Sequence, residues 1–438
     1  MRTNTAATNG RKKSCVACLA AEETPSVTDL VLVVHGIGQK LSERVESFHF
    51  THAINAFRRS VNIEVQSETV KPWLRPELGS IMVLPVNWRS KVKLDHGLTE
   101  EQADQTNDDP GQNSYSLKDI TAESLPAVRN LISDVMLDIP YYLSHHKPKM
   151  IEAVIKEANR IYRLWCLNNP GFREKGRMHL IAHSLGSVMA VDILSRQPTS
   201  LPKELDLTKT TPRDDILEFD TKSLFFCGSP AGFFLLLHRA TLSPRRGREK
   251  PGSELEDTTN QSVAGEGGVY GCLAVDNLYN VMHQNDPVAY RVNACVDADY
   301  AGSLHMAYVP SATASWSQYF GAIFRGRPAT PAKSLASVPT RPTFAKLPST
   351  VEMETHNFTR EEIAEKRMFL LNDNGQIDYT LKSGGGPLEI QYFNMLSAHS
   401  SYWILQDFVR FLVVEIGRKP GKDETISSFK ARKKAWGK

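Results

Sequence analysis

Ser184 stands where its hydroxyl could act as a nucleophile. The segment Ala182-His183-Ser184-Leu185-Gly186 follows an apolar run and precedes a helix-like run. A serine hydroxyl attacks an acyl carbonyl when a sharp turn presents it and a histidine removes its proton. Such a turn needs small residues two positions before and two after the serine, and Ala182 and Gly186 meet this need, with alanine replacing the usual first glycine. The segment therefore predicts a nucleophile elbow.

Two downstream residues complete this chemistry in the chain order serine, acid, histidine. Asp286 follows the apolar run 278–282 and precedes Pro287, which favours a loop at the carboxyl edge of a sheet. The alternative for an Asp-Pro pair is a simple turn. His399 lies late in the chain, just before a helix-like run, as expected of a base that follows the final strand. We therefore predict a triad of Ser184, Asp286 and His399.

Acyl transfer also needs backbone N–H donors for the oxyanion that forms. Leu185, directly after the serine, is expected to supply one of them. A second is expected from the turn His35-Gly36-Ile37-Gly38, whose glycines allow the backbone to approach a substrate closely. The predicted oxyanion site therefore consists of Leu185, Gly36 and Ile37.

The elements around these residues alternate between strand and helix. Continuous apolar runs are typical of strands buried on both faces, and they occur at 30–34, 81–86, 178–182, 224–227 and 278–282. Apolar residues at helical spacing lie between these runs, at 129–143, 150–167 and 187–194. This order predicts an α/β-hydrolase fold with a mostly parallel sheet, helices on both faces and long disordered insertions.

Polar stretches interrupt this alternation. Their composition buries too little apolar surface to offset chain entropy, which predicts flexible insertions near 100–115, 241–269 and 325–350. The predicted organisation is a disordered tail at 1–28, a catalytic domain at 29–417 and a basic tail at 418–438.

Composition limits the compartment and the partners. The six cysteines lack the spacing of a disulfide scaffold, which favours a reducing, cytoplasmic compartment. Neither a secretory signal nor an apolar run of about 18 residues is visible, so we expect membrane contact to be peripheral. A formal net charge of +3 is too small to indicate a nucleic-acid partner.

An ordered series of segments between residues 30 and 415 resembles the DDHD-domain family of intracellular phospholipases A1. The segments are Val33 to Gly38, Pro85 to Arg89, Asn169 to Phe172, the Ser184 elbow, Phe226 to Gly232, Asp286 to Arg291, Ile377 to Tyr379, His399 to Trp403, and Asp407. The resemblance implies removal of the acyl chain from the first glycerol carbon of phosphatidic acid or a related glycerophospholipid. It also implies a cytosolic enzyme that acts on organelle membranes.

The family takes its name from four residues that correspond here to Asp286, Asp378, His399 and Asp407. Around Asp286 the sequence also resembles class 3 lipases, in which this aspartate is the acid of the triad. The alternative is a metal site, since three carboxylates and an imidazole can ligate a divalent ion. We favour the triad without a cofactor. Asp378 and Asp407 are then supports of loop geometry, with Asp407 orienting the His399 segment.

Aromatic residues lie at helical spacing from Trp316 to Phe324, and basic residues follow. This pattern has two interpretations, a contact with an anionic membrane or a helix packed on the core and followed by a basic loop. The basic tail at 430–436 has the same two interpretations. Two other functions stay open: a lipase on neutral acylglycerols, and a non-catalytic membrane-trafficking scaffold.

Overall fold

A computed structural model describes residues 26–36, 50–89, 138–201, 211–312, 359–382 and 398–434. The long strands are β1 (Val27–Val34), β2 (Ser80–Pro85), β3 (Arg177–His183), β4 (Thr221–Cys227), β7 (Asn277–His283) and β8 (Asp378–Leu381), and two short ones are β5 (Ser243–Pro244) and β6 (Cys272–Leu273). Within the described residues the long strands form one six-stranded, fully parallel sheet in the order β2-β1-β3-β4-β7-β8. The five predicted strands are confirmed, and the prediction lacked β8.

Alternation along β1 shows how the sheet builds a core on each face. Leu30, Leu32 and Val34 belong to one apolar cluster, whereas Val31 and Val33 belong to the other, and all five are buried. Successive side chains of a strand point to opposite faces, so one continuous apolar run supplies both cores.

Helices cover both faces of the sheet. They are α1 (Phe50–Val65), α2 (Asp138–Leu143), α3 (Lys147–Asn168), α4 (Phe172–Lys175), α5 (Leu185–Arg196), α6 (Ala231–Leu237), α7 (Leu255–Thr259), α8 (Asn293–Val296), α9 (Ala298–Ser303), α10 (Arg360–Leu371) and α11 (Gln406–Gly417). The apolar sides of α1 and α11 pack on the core that contains Val31, and those of α3, α5 and α10 pack on the core that contains Leu30. This layering confirms a mixed α/β protein with a parallel central sheet.

The strand order reverses beside β1. The chain passes from β1 to β2 on one side of it, and later to β3 on the other side. At such a point the connections diverge and leave a crevice outside the carboxyl ends of the strands. His35 follows β1 and Ser184 follows β3, so both residues lie at this crevice.

The structure differs from the prediction of a flexible insertion at 241–269. This segment contains β5 and α7, and the buried Arg245 guanidinium donates to the carbonyls of Leu194 and Ser195 at 2.9 and 2.8 Å. The last carbonyls of a helix have no partner within it. One of the charged residues in this segment, Arg245, is therefore buried because it caps α5.

The described part of the tail at 418–438 packs on the domain. Ile426 and Phe429 are buried, and Lys433 forms ion pairs with Glu361 and Glu365 of α10. The Lys433 ammonium is therefore engaged by carboxylates, which counts against the interpretation of this stretch as a membrane patch.

Several predictions fall outside the described residues. They concern residues 1–25 of the tail predicted at 1–28, the insertions at 100–115 and 325–350, the aromatic stretch at 316–324 and the end at 435–438; residues 27–28 of that tail belong to β1. Among the helices that are described, none is long and apolar enough to cross a bilayer. The four cysteines within the described ranges carry free thiols.

Candidate active site

Ser184 connects β3 to α5 in a backbone conformation that few residues with a side chain adopt. Its φ is 54° and its ψ is −133°, outside the regions open to most L-residues. Such strain persists where surrounding contacts hold it. Here the Ser184 N–H donates to the Cys227 carbonyl at 3.0 Å, and the Ser184 carbonyl accepts from the Ser187 hydroxyl at 2.6 Å. The predicted strand-turn-helix geometry is confirmed.

Gly186 allows α5 to begin directly against the turn that follows β1. A Cβ at position 186 would lie 2.5 Å from the Val34 carbonyl oxygen and 3.1 Å from the His35 carbonyl carbon. The small residue that the motif requires thus has a local cause, because two backbones meet there. The contact brings the N-terminal end of α5 beside the His35-Gly36 turn.

Asp286 and His399 form a buried pair at the same edge of the sheet. The Asp286 carboxylate, in the loop after β7, accepts from Nδ1 of His399 at 3.0 Å to Oδ2 and 3.1 Å to Oδ1. The Tyr402 hydroxyl and the Val288 N–H donate to the same carboxylate at 2.8 and 2.9 Å. The Asp286 side chain has no exposed surface and that of His399 is 8% exposed, so little water competes for these bonds.

The donors around Asp286 decide which nitrogen of His399 carries the proton. Burial raises the pKa of the Asp286 carboxyl, but the hydrogen bond and the charge of His399, with the donors from Val288 and Tyr402, outweigh it and hold the pKa below the ordinary 3.8. Near neutral pH the carboxylate is ionised and can only accept, so the His399 proton is on Nδ1. The neutral imidazole then has its lone pair on Nε2, as a general base requires.

Gly228 lies between the Asp286–His399 pair and the Ser184 turn. It directly follows the residue whose carbonyl binds the Ser184 N–H. A Cβ at position 228 would lie 2.7 Å from Oδ2 of Asp286 and 2.9 Å from Nδ1 of His399, so the backbone there touches the pair. On the other side, His183 donates its Nε2–H to the His399 carbonyl at 2.6 Å. The pair therefore lies against the turn that carries Ser184.

The predicted oxyanion donors lie at the start of α5 and after β1. Leu185 is the first residue of α5, where backbone N–H groups have no partner within the helix. Gly36 is buried in the turn that packs on α5, and the Trp88 indole holds this turn by donating to the His35 carbonyl at 3.0 Å. Ile37, the third predicted residue, lies outside the described residues.

Asp378 fastens the chain that follows the Asp286 loop to the sheet. It begins β8 and pairs with Asn280, three residues before β7 ends. Its carboxylate accepts the N–H groups of Val292 and Asn293 at 2.9 and 3.0 Å and the side-chain amide of Asn280 at 2.8 Å. Burial raises the pKa of this carboxyl. These contacts fit the predicted role as a support of loop geometry.

Asp407 lies in the first turn of α11, partly exposed. Its Oδ1 accepts the Ala312 N–H at 2.5 Å, and Arg410 donates to the Ala312 carbonyl at 2.8 Å. Arg410 also pairs with Glu64 of α1 at 2.5 Å. Asp407 is therefore a local support, but the segment that it fastens is the one at Ala312 and not the His399 segment named in the prediction.

The four residues behind the metal alternative lie in three places. Asp286 and His399 bind each other, Asp378 binds the main chain at 292–293, and Asp407 binds Ala312. In the described part of the chain, no three His, Cys, Asp or Glu side chains are placed to hold a metal ion. The four do not fit a shared metal site, and the absence of a cofactor stays a prediction.

Trp88, His183, Gly228 and Tyr402 hold the site but were not predicted to do so. The partners of Trp88 and Tyr402 lie 53 and 116 residues away, and no local spacing reveals such contacts. His183 directly precedes the serine in the predicted elbow, and it is 2% exposed. Gly228 alone had a local signal, because a glycine at the end of a predicted strand indicates a close approach.

Comparison with known proteins identifies the class. A model of the DDHD domain matches residues 217–348 and 329–417. These two matches contain all four residues of the family signature, Asp286, Asp378, His399 and Asp407. Residues 217–417 therefore match the DDHD domain, which confirms the resemblance to this family.

Proteins with names of lipid hydrolases align with the chain. A Schizosaccharomyces pombe protein named a probable mitochondrial phospholipase is 27% identical over 430 residues, covering 89% of this chain and 54% of that protein. The intracellular phospholipase A1 of Caenorhabditis elegans is 27% identical over 317 residues, covering 63% and 32%. The triacylglycerol hydrolase DDHD2 of Mus musculus is 32% identical over 210 residues, covering 46% and 27%. The chain thus spans about half the length of the first relative and less of the others. No solved structure matches the chain.

Proposed function

We propose that the chain has an α/β-hydrolase fold and hydrolyses acyl esters of glycerophospholipids with Ser184 as the nucleophile. The observation that carries this is the Asp286–His399 pair, 3.0 Å from Oδ2 to Nδ1, lying against the Ser184 turn. The order serine, acid, histidine along a parallel sheet is that of α/β-hydrolases. The names of the relatives support an acyl lipid as the substrate.

Each proposed residue has one step in the reaction. The Ser184 oxygen attacks the ester carbonyl carbon while Nε2 of His399 takes the hydroxyl proton, and Asp286 stabilises the imidazolium. The N–H groups of Leu185 and of the Gly36 turn stabilise the oxyanion, and the N-terminal end of α5 adds partial positive charge. The glycerol oxygen then leaves with the proton from Nε2. Water, deprotonated by the same nitrogen, releases the fatty acid from the acyl-serine.

The preferred substrate is phosphatidic acid or a related anionic glycerophospholipid, cleaved at the first glycerol carbon. The name of the C. elegans relative supports this position of cleavage. Cationic side chains lie on the two segments that leave the site: Arg291 is exposed in the loop after Asp286, and Arg239 is exposed just after α6. Neither 231–247 nor 287–296 contains an acidic residue, so these arginines favour an anionic headgroup.

Exposed apolar side chains on α6 and in the loop after Asp286 support a peripheral membrane contact. Leu236 and Leu237 at the end of α6 are 73% and 53% exposed, and Tyr290, which packs on Phe233 of α6, is 47% exposed. Exposed apolar side chains next to arginines suit the surface of an anionic membrane. The protein then works as a cytoplasmic enzyme at an organelle surface, and the name of the S. pombe relative supports the mitochondrion as that organelle.

Membrane contact is tested by vesicle flotation with a matched pair of variants. Leu236→Gln removes an apolar side chain at the end of α6, and Ile63→Gln removes one of similar exposure, 71%, on α1. We expect only Leu236→Gln to reduce binding to vesicles that contain phosphatidic acid. Equal binding of the two variants would rule out this surface.

Hydrolysis of neutral acylglycerols is the second candidate, favoured by the name of the mouse relative. It uses the same serine and differs in not requiring an anionic headgroup. A non-catalytic scaffold is the third candidate, and it predicts no hydrolysis of either lipid.

The test is fatty acid release from phosphatidic acid and from triacylglycerol by wild type, Ser184→Ala and the exposed control Ser427→Ala. We expect wild type and Ser427→Ala to act alike on phosphatidic acid, with a loss on the order of 10⁴-fold or more in Ser184→Ala. Equal activity of Ser184→Ala and wild type would exclude the nucleophile. Faster release from triacylglycerol would select the second candidate, and no release by wild type would select the scaffold.

A further inference from the structure

His183 is a buried imidazole that the proposed reaction does not use. It lies between the rings of His35 and His399, and its centroid is 4.7 Å from each of theirs. His35 follows β1 on the oxyanion side of the site, and His399 is the proposed base. His183 therefore connects the two sides of the site through ring contacts.

One hydrogen bond defines what His183 does there. Its Nε2 lies 2.6 Å from the His399 carbonyl oxygen, and because a carbonyl only accepts, Nε2 carries the proton. Among the residues that the structure describes, its Nδ1 is buried with no hydrogen-bond partner. A second proton on Nδ1 would be a buried N–H without an acceptor, which is costly. Burial accordingly lowers the pKa of His183 well below its ordinary value, and the ring stays a neutral, fixed donor.

The described contacts hold the His399 segment at both its side chain and its main chain. Asp286 binds the His399 ring and the Tyr402 hydroxyl. His183 binds the His399 carbonyl, and its ring lies 5.4 Å from that of Trp403. The contacts with Asp286 hold the imidazole at one atom, Nδ1, and leave the ring able to pivot about that atom. A second attachment at the main chain removes this freedom.

We propose that His183 is a positioning residue, which holds the His399 main chain so that the imidazole keeps Nε2 aimed at Ser184. This role rests on the proposed function, in which His399 is the base. Because His183 directly precedes Ser184, the nucleophile and the residue that anchors its base are neighbours at the end of β3. The position of Ser184 relative to the His399 main chain is then set by two consecutive residues, His183 and Ser184.

Two variants, His183→Gln and His183→Asn, test this role, and both keep a polar side chain at position 183. In His183→Gln the amide nitrogen reaches the position of Nε2 and keeps the donor, whereas in His183→Asn it reaches only the position of Nδ1. We expect His183→Asn to lower kcat about ten- to a hundredfold at unchanged KM, as loss of a buried hydrogen bond predicts. We expect His183→Gln to stay within about threefold of wild type, because the bond persists.

Melting temperature and labelling of Ser184 by a fluorophosphonate are measured in parallel. Slower labelling of His183→Asn than of His183→Gln, at similar melting temperatures, supports positioning. Equal kcat for the two variants, whether high or low, overturns it, since packing alone would then account for His183. Wild-type activity in Ser184→Ala would instead contradict the proposed function itself. Failure of the positioning role and failure of the proposed function therefore give different results.

Discussion

No side chain fits between Gly228 and Asp286, because a Cβ at position 228 would lie 2.7 Å from Oδ2 of Asp286. Gly228 also has a φ of +56°, in the left-handed region that favours glycine. The end of β4 therefore touches the proposed triad acid through backbone alone. The geometry of the pair depends on this close approach.

Gly228→Ala is expected to displace the Asp286–His399 pair. A misplacement of about 1 Å can cost on the order of 10²-fold in rate, and we expect a loss of kcat of this size. Overpacking and the positive φ should also lower the free energy of unfolding by about 1–3 kcal/mol. Kinetics and denaturant titration measure the two effects. Gly302→Ala is the control, because a Cβ there meets nothing within 4 Å; wild-type kcat in Gly228→Ala would contradict the account.

Asp286→Asn tests the tautomer of His399. The asparagine amide can donate to Nδ1, which moves the imidazole proton to Nε2 and removes the base. We expect kcat to fall on the order of 10⁴-fold at a similar melting temperature, since the amide oxygen still accepts from Val288. Tyr402→Phe, which keeps the carboxylate, is the milder control. An active Asp286→Asn enzyme would show that His399 needs no carboxylate partner.

The free energy of unfolding should fall on acidification because the buried His179 and the partly buried His35 resist protonation. Burial lowers the pKa of both His35 and His179 from 6.5 to about 4. Between these values the unfolded chain binds protons that the folded chain does not, so the free energy of unfolding decreases as pH falls from 6.5 towards 4. Each histidine contributes a slope of about 1.4 kcal/mol per pH unit.

His179→Gln isolates one of these contributions. The glutamine amide can still donate to Asp29, as Nε2 of His179 does at 3.0 Å, but it does not titrate. Denaturant titrations at several pH values between 7 and 5 should therefore show a free energy of unfolding that changes less steeply with pH than in wild type. The difference in slope should equal the contribution of one histidine, about 1.4 kcal/mol per pH unit. Identical slopes for this variant and wild type would mean that His179 does not resist protonation.

Local signals explain which parts of the site could be predicted from the sequence. The strands appear as apolar runs, Ser184 is flanked by small residues, and Asp286 precedes a proline; each signal spans a few neighbouring residues. His399 was assigned by its late position and by resemblance. β8 was not predicted, because its four residues, Asp378 to Leu381, are too few and too polar to give a clear pattern.

Long-range partners explain the rest. Composition suggested that 241–269 is flexible, yet Arg245 binds the end of α5 about 50 residues earlier in the chain. Local composition does not show that a charged side chain will be buried when its hydrogen-bond acceptors lie so far away in the sequence. The same holds for His183 and Tyr402, whose contacts to the triad exist only after the sheet has formed.

Chelation tests whether the family signature needs a metal ion. Since Asp378 and Asp407 bind main-chain groups away from the Asp286–His399 pair, we expect dialysis against a chelator to leave hydrolysis of phosphatidic acid unchanged. Hydrolysis of a soluble ester, measured in parallel, separates effects on the enzyme from effects of divalent ions on the lipid surface. Loss of both activities, with recovery on adding a divalent ion, would contradict the metal-free triad.

Covalent trapping tests the assignment of Ser184 most directly. The full chain is treated with a fluorophosphonate, and peptides are analysed by mass spectrometry alongside measurement of fatty acid release. We predict one adduct per chain, on the peptide that contains Ser184, with activity lost in proportion to labelling and no adduct in Ser184→Ala. An adduct on another residue, or complete inhibition while Ser184 stays unmodified, would contradict the assignment of the nucleophile.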